Sequence, residues 1–269
     1  PQNSSFHYEL GRIDYDLGRF ESALIHYDAS IKNDALNDWY KYHRGQTLIA
    51  TKDFDGALKD FQDWVTKRPG DLEALNECSG FFQKEDQSIY AYKLLNFYEN
   101  TIAKNVDVRI DILDLISSSE QTLESVDSFI KRSIKDFPNE PQFLYQKGTY
   151  AAFLKNHDEA IALFEKLIAD YPFNSVACLE LAKSYTAVGR TDEAFELLMK
   201  VFNSRSGSVE QKIEILTKFS NITQPNTEMM AKYELLLEAA LNTYPDNSKI
   251  LHLAALNWRA LGEFDKSVN

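Results

Sequence analysis

The chain repeats itself every 34 residues, and few sequence features restrict a fold more tightly. Gly11, Ala23 and Tyr27 return as Gly45, Ala57 and Phe61, and Ala57 returns again as Ala91. Gly148, Ala160 and Phe164 are followed one period later by Ala182, Ala194 and Leu198, and Pro138 by Pro172. Pro69 and Pro172 stand three periods and one residue apart, Gly189 and Gly262 two periods and five residues. A unit this short cannot bury a core alone, so successive units must stack on one another.

The recurring residue types say what each unit is. Small residues at Gly11, Gly45, Gly148, Ala182 and Ala255 let one helix backbone approach another. Ala23, Ala57, Ala91, Ala160 and Ala194 do the same from a second helix, while Tyr27, Phe61, Phe129 and Phe164 bring large buried area beside them. Turns are expected at Gly18-Arg19-Phe20, Lys52-Asp53-Phe54, Lys155-Asn156-His157, Gly189-Arg190-Thr191 and Gly262-Glu263-Phe264. Glycine there ends a helix in the left-handed conformation. Acidic residues follow at Asp55, Asp158-Glu159, Asp192-Glu193 and Asp265, where a helix N-terminus favours negative charge. Pro69, Pro172 and Pro245 mark where the second helix must stop.

These residues, in a common register, resemble the tetratricopeptide repeat (TPR) family. Pro141–Asn174 carries Leu144, Gly148, Ala160, Phe164 and Pro172 at the family's offsets; Asp38–Asp71 carries Gly45, Ala57, Phe61 and Pro69. Ser175–Ser208 carries Leu181, Ala182, Tyr185, Gly189 and Ala194. The resemblance implies an all-α fold, a right-handed α-solenoid of about eight helix-turn-helix repeats forming a single array over 1–269. The units fall at about 4–37, 38–71, 72–106, 107–140, 141–174, 175–208, 209–247 and 248–269. Units three and four are degenerate, with Ser79 and Leu113 or Asp114 at the glycine position. Unit seven holds five extra residues, best placed at Ile222–Asn226 as a loop insertion. The eighth stops at Asn269 as its second helix begins, so the native chain is expected to continue into further repeats, or this end to pack on a partner. Pro1 follows no initiator Met, which fits a removed targeting segment or an excised piece.

Composition narrows function by exclusion. A net charge of −12 opposes nucleic acid, whose binding is driven by basic side chains, and opposes anionic membrane surfaces. No apolar run is long enough to span a bilayer. Cys78 and Cys178 have no CxxC neighbour and lie three stacked units apart, too far for a disulfide. The histidines, His7, His26, His43, His157 and His252, form no metal-binding pair at helical spacing, and no hydrolase, dinucleotide or P-loop motif is present. No catalytic residue, metal or cofactor is therefore expected.

In the family this chain resembles, the first helix of each hairpin lines the concave surface. That implies a partner-facing set of Tyr8, Arg12, Tyr15, Trp39, Tyr42, His43 and Gln46 in the first two units. Aromatic and arginine side chains are the types enriched at protein-recognition hot spots. Two readings of Tyr8 and Tyr42 stand side by side: contact with a partner segment, or packing between neighbouring first helices. A carboxylate clamp of the kind some relatives use is disfavoured, because Tyr8, Arg12, His43, Glu73 and Glu77 put the wrong charge on the third helix.

The expected function is a non-catalytic scaffold binding a partner protein or peptide on its concave face. The alternative is a recruiting region of a larger enzyme; RNA binding is opposed by the charge. The run Val209–Leu216 resembles a segment of envelope-associated repeat proteins of Bacteroidota, which implies a periplasmic or lipid-anchored location, with the cytoplasm as the alternative.

Overall fold

The computed structural model describes residues 4–118, 125–172, 174–221 and 227–261. Among them are fifteen α-helices and no strand. They gather into two compact units, Pro1–Pro138 and Asn139–Asn269. The first holds α1 (Ser4–Asp16), α2 (Phe20–Asn33), α3 (Trp39–Ala50), α4 (Phe54–Thr66), α5 (Leu72–Lys84), α6 (Ser88–Thr101), α7 (Val106–Ser118) and α8 (Val126–Asp136). The second holds α9 (Pro141–Phe153), α10 (His157–Asp170), α11 (Ser175–Ala187), α12 (Thr191–Phe202), α13 (Val209–Ser220), α14 (Thr227–Thr243) and α15 (Ser248–Leu261). Within each unit odd and even helices alternate as hairpins, and each hairpin packs on the next.

The glycine–aromatic pairs set the closeness of that packing. A Cβ built on Gly11 would lie 2.8 Å from Tyr27 Cε1; on Gly45, 2.7 Å from Phe61 Cε1; on Gly148, 2.7 Å from Phe164 Cε1. All three rings are buried, each contributing roughly 1.5–3 kcal/mol of hydrophobic stabilisation. In α11 the small residue is Ala182, and the second-helix partner is Leu198 instead of a ring, so a methyl group fits. The degenerate repeats keep the same buried positions with other residues: Ser79 and Leu95 in one, Leu113 and Phe129 in the other. In α15 the fully buried small residue is Ala254, one position ahead of Ala255.

The turns share one backbone conformation with different residues in it. Gly18 and Gly189 take φ of 72° and 82°, and Lys52, Asp86 and Lys155 take 64°, 56° and 61° in the same left-handed region. Gly18 and Gly189 sit in turns where the sequence places glycine; Lys52 and Lys155, in two further expected turns, and Asp86 hold the same shape with an L side chain, at a conformational cost. Helices start on a side-chain cap where one is available: after the Lys52 turn Asp53 accepts from Gly56 N at 3.0 Å, and between hairpins Asp71 accepts from Ala74 N at 2.9 Å and Asn174 from Ala177 N at 3.0 Å. Helices α4, α10 and α14 end two or three residues before Pro69, Pro172 and Pro245. The expected loop at Ile222–Asn226, the turn at Gly262-Glu263-Phe264 and the start of a further helix lie outside the described residues.

Two arginines tie successive hairpins of the first unit together. Arg44 on α3 donates to both Asp60 oxygens, Nε at 2.7 Å and Nη2 at 2.6 Å, and through Nη1 to Asp28 on α2 at 2.6 Å. Arg109 on α7, 2% exposed, donates from Nε to Glu99 on α6 at 2.6 Å and from Nη2 to Asp136 on α8 at 3.0 Å. Lys104 and Arg109 together hold the Asp136 carboxyl below its usual range.

Candidate partner-binding face

The first unit brings most of the expected face together. Helix α1 carries Tyr8 and Arg12 one turn apart; α3 carries Trp39, Tyr42, His43 and Gln46 at helical spacing. Tyr8 lies 5.4 Å from the His43 ring and 5.1 Å from Tyr40, so the two first helices meet through rings. Trp39 lies 5.6 Å from Tyr42 and 6.1 Å from His43. Arg12 extends its guanidinium over Tyr8 at 5.8 Å and pairs with Glu9 at 3.5 Å. Tyr15 is placed differently, its ring packed edge-on against Phe20 of α2 at 5.5 Å.

Burial separates these residues into an inner and an outer set. Tyr42 is 5% exposed, enclosed by Trp64 at 4.8 Å and Phe81 at 6.3 Å, so its ring is part of the packing and not an open wall. Trp39 is 50% exposed and Arg12 is exposed; Tyr8, Tyr15, His43 and Gln46 are half-buried. The surface offered outward is therefore Trp39 and Arg12 with the edges of Tyr8 and His43, resting on Tyr42.

A polar relay fixes the inner set. Gln46 Nε2 donates to the Tyr42 hydroxyl at 3.0 Å, and Gln46 Oε1 lies 3.0 Å from His43 Nδ1. With its amide committed in this sense, Gln46 accepts from His43, which places the imidazole proton on Nδ1. Burial and the nearby Glu77 carboxylate on α5 push the Tyr42 hydroxyl pKa up. Burial pushes the His43 imidazole down, more than the Gln46 hydrogen bond raises it, so the neutral ring is favoured.

Sequence reasoning missed the floor of this cluster. Trp64 on α4, 3% exposed, lies 4.6 Å from Trp39, and Arg68 stacks over its ring at 3.2 Å. Arg68 Nη1 also donates to Asp38, immediately before α3, at 3.0 Å, and Lys67 donates to the same carboxylate. Burial would raise the Asp38 pKa, but the two cations outweigh it and hold it low. The only signal was the aromatic at a second-helix offset, which reads as ordinary core. The Trp64 indole N–H has no hydrogen-bond partner among the described residues.

Among the described residues no group of three or more His, Cys, Asp or Glu side chains is arranged to hold a metal ion. Both cysteines are free and buried, and burial raises both thiol pKa values. No described helix is long and apolar enough to cross a membrane.

Stacked hairpins with a small–large pair in each define a helical repeat protein. Two family models, each described as tetratricopeptide repeat, match residues 1–71 and 121–175 in one case and 154–207 in the other, together more than half of the chain. The chain belongs to the tetratricopeptide repeat family. Among solved structures it is similar to the C-terminal part of a TPR repeat-containing protein from Cytophaga hutchinsonii, at 13% identity over 91% of this chain and 98% of that one, with a TM-score of 0.53. A tetratricopeptide repeat protein from Parabacteroides merdae matches at 14% identity, 96% and 99% coverage and a TM-score of 0.48. YrrB, described as a TPR protein with an unusual peptide-binding site, matches at 15% identity, 75% and 86% coverage and a TM-score of 0.35. No curated protein matches the sequence.

Proposed function

We propose that this repeat protein works as a non-catalytic scaffold and that its first unit grips a segment of a partner protein on the face formed by α1 and α3. One observation carries the reading: Trp39 stands half exposed on a floor of buried rings, with Arg68 over its ring at 5.8 Å, and Arg12 is exposed on the neighbouring first helix. Core packing gains little from an indole left half in water, whereas a docked segment would complete its burial. A fixed aromatic anchor with a neighbouring guanidinium is also the composition that dominates binding energy at protein interfaces.

The test begins with a partner recovered by cross-linking and mass spectrometry, whose affinity is then measured. Replacing Arg12 and Trp39 together by Ala is expected to weaken binding at least tenfold, with helicity by circular dichroism retained. A Lys218→Ala control on α13 should change nothing. Equal affinity for the double variant and the parent would remove α1 and α3 from the binding face.

A further inference from the structure

Helices α1 and α2 face each other through two imidazoles. His7 Nδ1 stands 3.3 Å from His26 Nδ1, with the ring centroids 5.5 Å apart. Nineteen residues separate the two in sequence, so the spacing within one helix could not reveal the pair. Later hairpins place apolar side chains at the same two repeat positions: Leu75 and Leu94, Ile110 and Phe129, Leu144 and Leu163, Cys178 and Leu197. Leu75, Leu94, Phe129 and Cys178 are buried there. Only the second hairpin has charged groups, Lys41 and Asp60, and each forms an ion pair with another residue. Packing of the two helices is thus satisfied without polar groups at this point, and it does not explain a pair of imidazoles.

The surroundings orient the pair. Asp14 on α1 is buried and brings Oδ2 to 3.7 Å from His26 Nε2, the nitrogen that does not face His7. Ser22 donates to that carboxylate and Arg19 pairs with it at 3.5 Å, so the carboxylate is itself held. A carboxylate beside Nε2 favours the tautomer protonated there, which leaves the Nδ1 lone pair turned to His7. A cation between the rings would then meet one lone pair from each. A carboxylate behind the remote nitrogen is the usual support of a metal-bound histidine. The His26 side chain is 24% exposed and His7 is half-buried, so the pair is not sealed from solvent.

The separation of the nitrogens selects the ion. Zinc binds imidazole nitrogen at about 2.0–2.1 Å in a tetrahedral shell, which sets two such nitrogens about 3.3–3.4 Å apart. Two neighbouring ligands of a square-planar copper or nickel ion, at the same bond length, stand about 2.9 Å apart. We propose that His7 and His26 bind one zinc ion through their Nδ1 atoms, with Asp14 as a positioning residue behind His26. No group of three or more ligating side chains is arranged around a metal among the described residues, so two positions of the tetrahedron fall to water. The ion joins the two helices of the first hairpin and stabilises the folded chain by mass action.

Zinc binding is read by isothermal titration calorimetry on the untagged full chain, with a chromogenic chelator as competitor. The parent is expected to bind one zinc ion at this site and to melt at a higher temperature with zinc present. H7Q and H26Q should each weaken binding at least tenfold, and D14N by roughly tenfold. H252Q, at an exposed position of α15, should stay within twofold of the parent. Circular dichroism establishes that the variants are folded. Nitrogen NMR of the parent imidazoles needs no variant: zinc should shift Nδ1 of His7 and His26 and leave His26 Nε2 protonated, whereas a simple hydrogen-bonded pair would not respond. Equal zinc binding by the parent, H7Q and H26Q would overturn the proposal. So would the absence of binding at millimolar zinc, or shifts at His43, His157 or His252 in place of the pair.

Discussion

The two units are built on the same backbone plan and fill their first-helix faces differently. In the first, Trp39, Tyr42, His43, Tyr8 and Trp64 form a continuous set of ring contacts between 4.6 and 6.1 Å. In the second, α9 brings Tyr145 against Phe164 at 6.0 Å and α11 adds the buried Tyr185, with alanine and aliphatic side chains such as Leu181 and Ile161 filling the rest of the cluster, and no comparable continuous set of rings is formed among the described residues. Both units keep the glycine under a ring, Gly45 beneath Phe61 and Gly148 beneath Phe164. Stacking thus needs the small–large pair and is satisfied with it. The extra rings of the first unit exceed that need, which supports the proposal that they serve recognition.

The largest effect should come from breaking what the units share. Gly45→Ala and Gly148→Ala are each expected to cost about 1–3 kcal/mol in urea denaturation, because the added methyl meets a ring locked between helices. Combining Gly148→Ala with Phe164→Leu imitates the pair Ala182 and Leu198 of the next repeat and should recover part of the loss. A Gly148→Ala variant as stable as the parent would show that the close approach is not required in the second unit. A smaller effect concerns the turns. Lys155→Gly, at φ of 61°, should stabilise the chain by up to about 1 kcal/mol, while Gly189→Ala, at 82°, should destabilise it by a similar amount. The smallest belongs to the first unit alone. Burial lowers the His43 pKa from its usual 6.5, so the unfolded chain takes up that proton first as pH falls. The contribution of the neutral ring is complete above pH 6.5 and is lost below it, down to the folded value. His43→Gln should flatten the decline of the urea midpoint between pH 7.5 and 5.5; an unchanged slope would assign the decline to other groups.

Much of the hairpin plan was legible because it rests on local spacing. Gly11 and Tyr27, or Gly148 and Phe164, stand sixteen residues apart in each case, which is the distance between facing points of one hairpin. The face was less legible, because burial there depends on the bulk of a neighbouring repeat. Tyr42 and Asn76 occupy the same repeat position, yet Tyr42 is enclosed by Trp64 and Phe81 while Asn76 is exposed. Trp64 shares its offset with the buried Tyr98, so nothing in spacing set it apart as the support of Trp39. The pairing of charges was hidden for a related reason. Arg44 finds Asp28 and Asp60 sixteen residues away on either side, and such partners emerge only once the fold is known.

That arginine has a mechanical consequence. One guanidinium holds the second helices of two successive hairpins, and the Arg109 group repeats the arrangement between α6 and α8. Repeats joined only by apolar contact can slide by small increments, since such contact has no preferred direction. Bidentate ion pairs are directional and fix one register. The spacing of successive hairpins is therefore fixed by the fold, and under the proposed function it is a gauge set before any partner arrives. A docking segment that fits it does not have to bear the entropy cost of setting it, and one of the wrong width cannot readily persuade it to open.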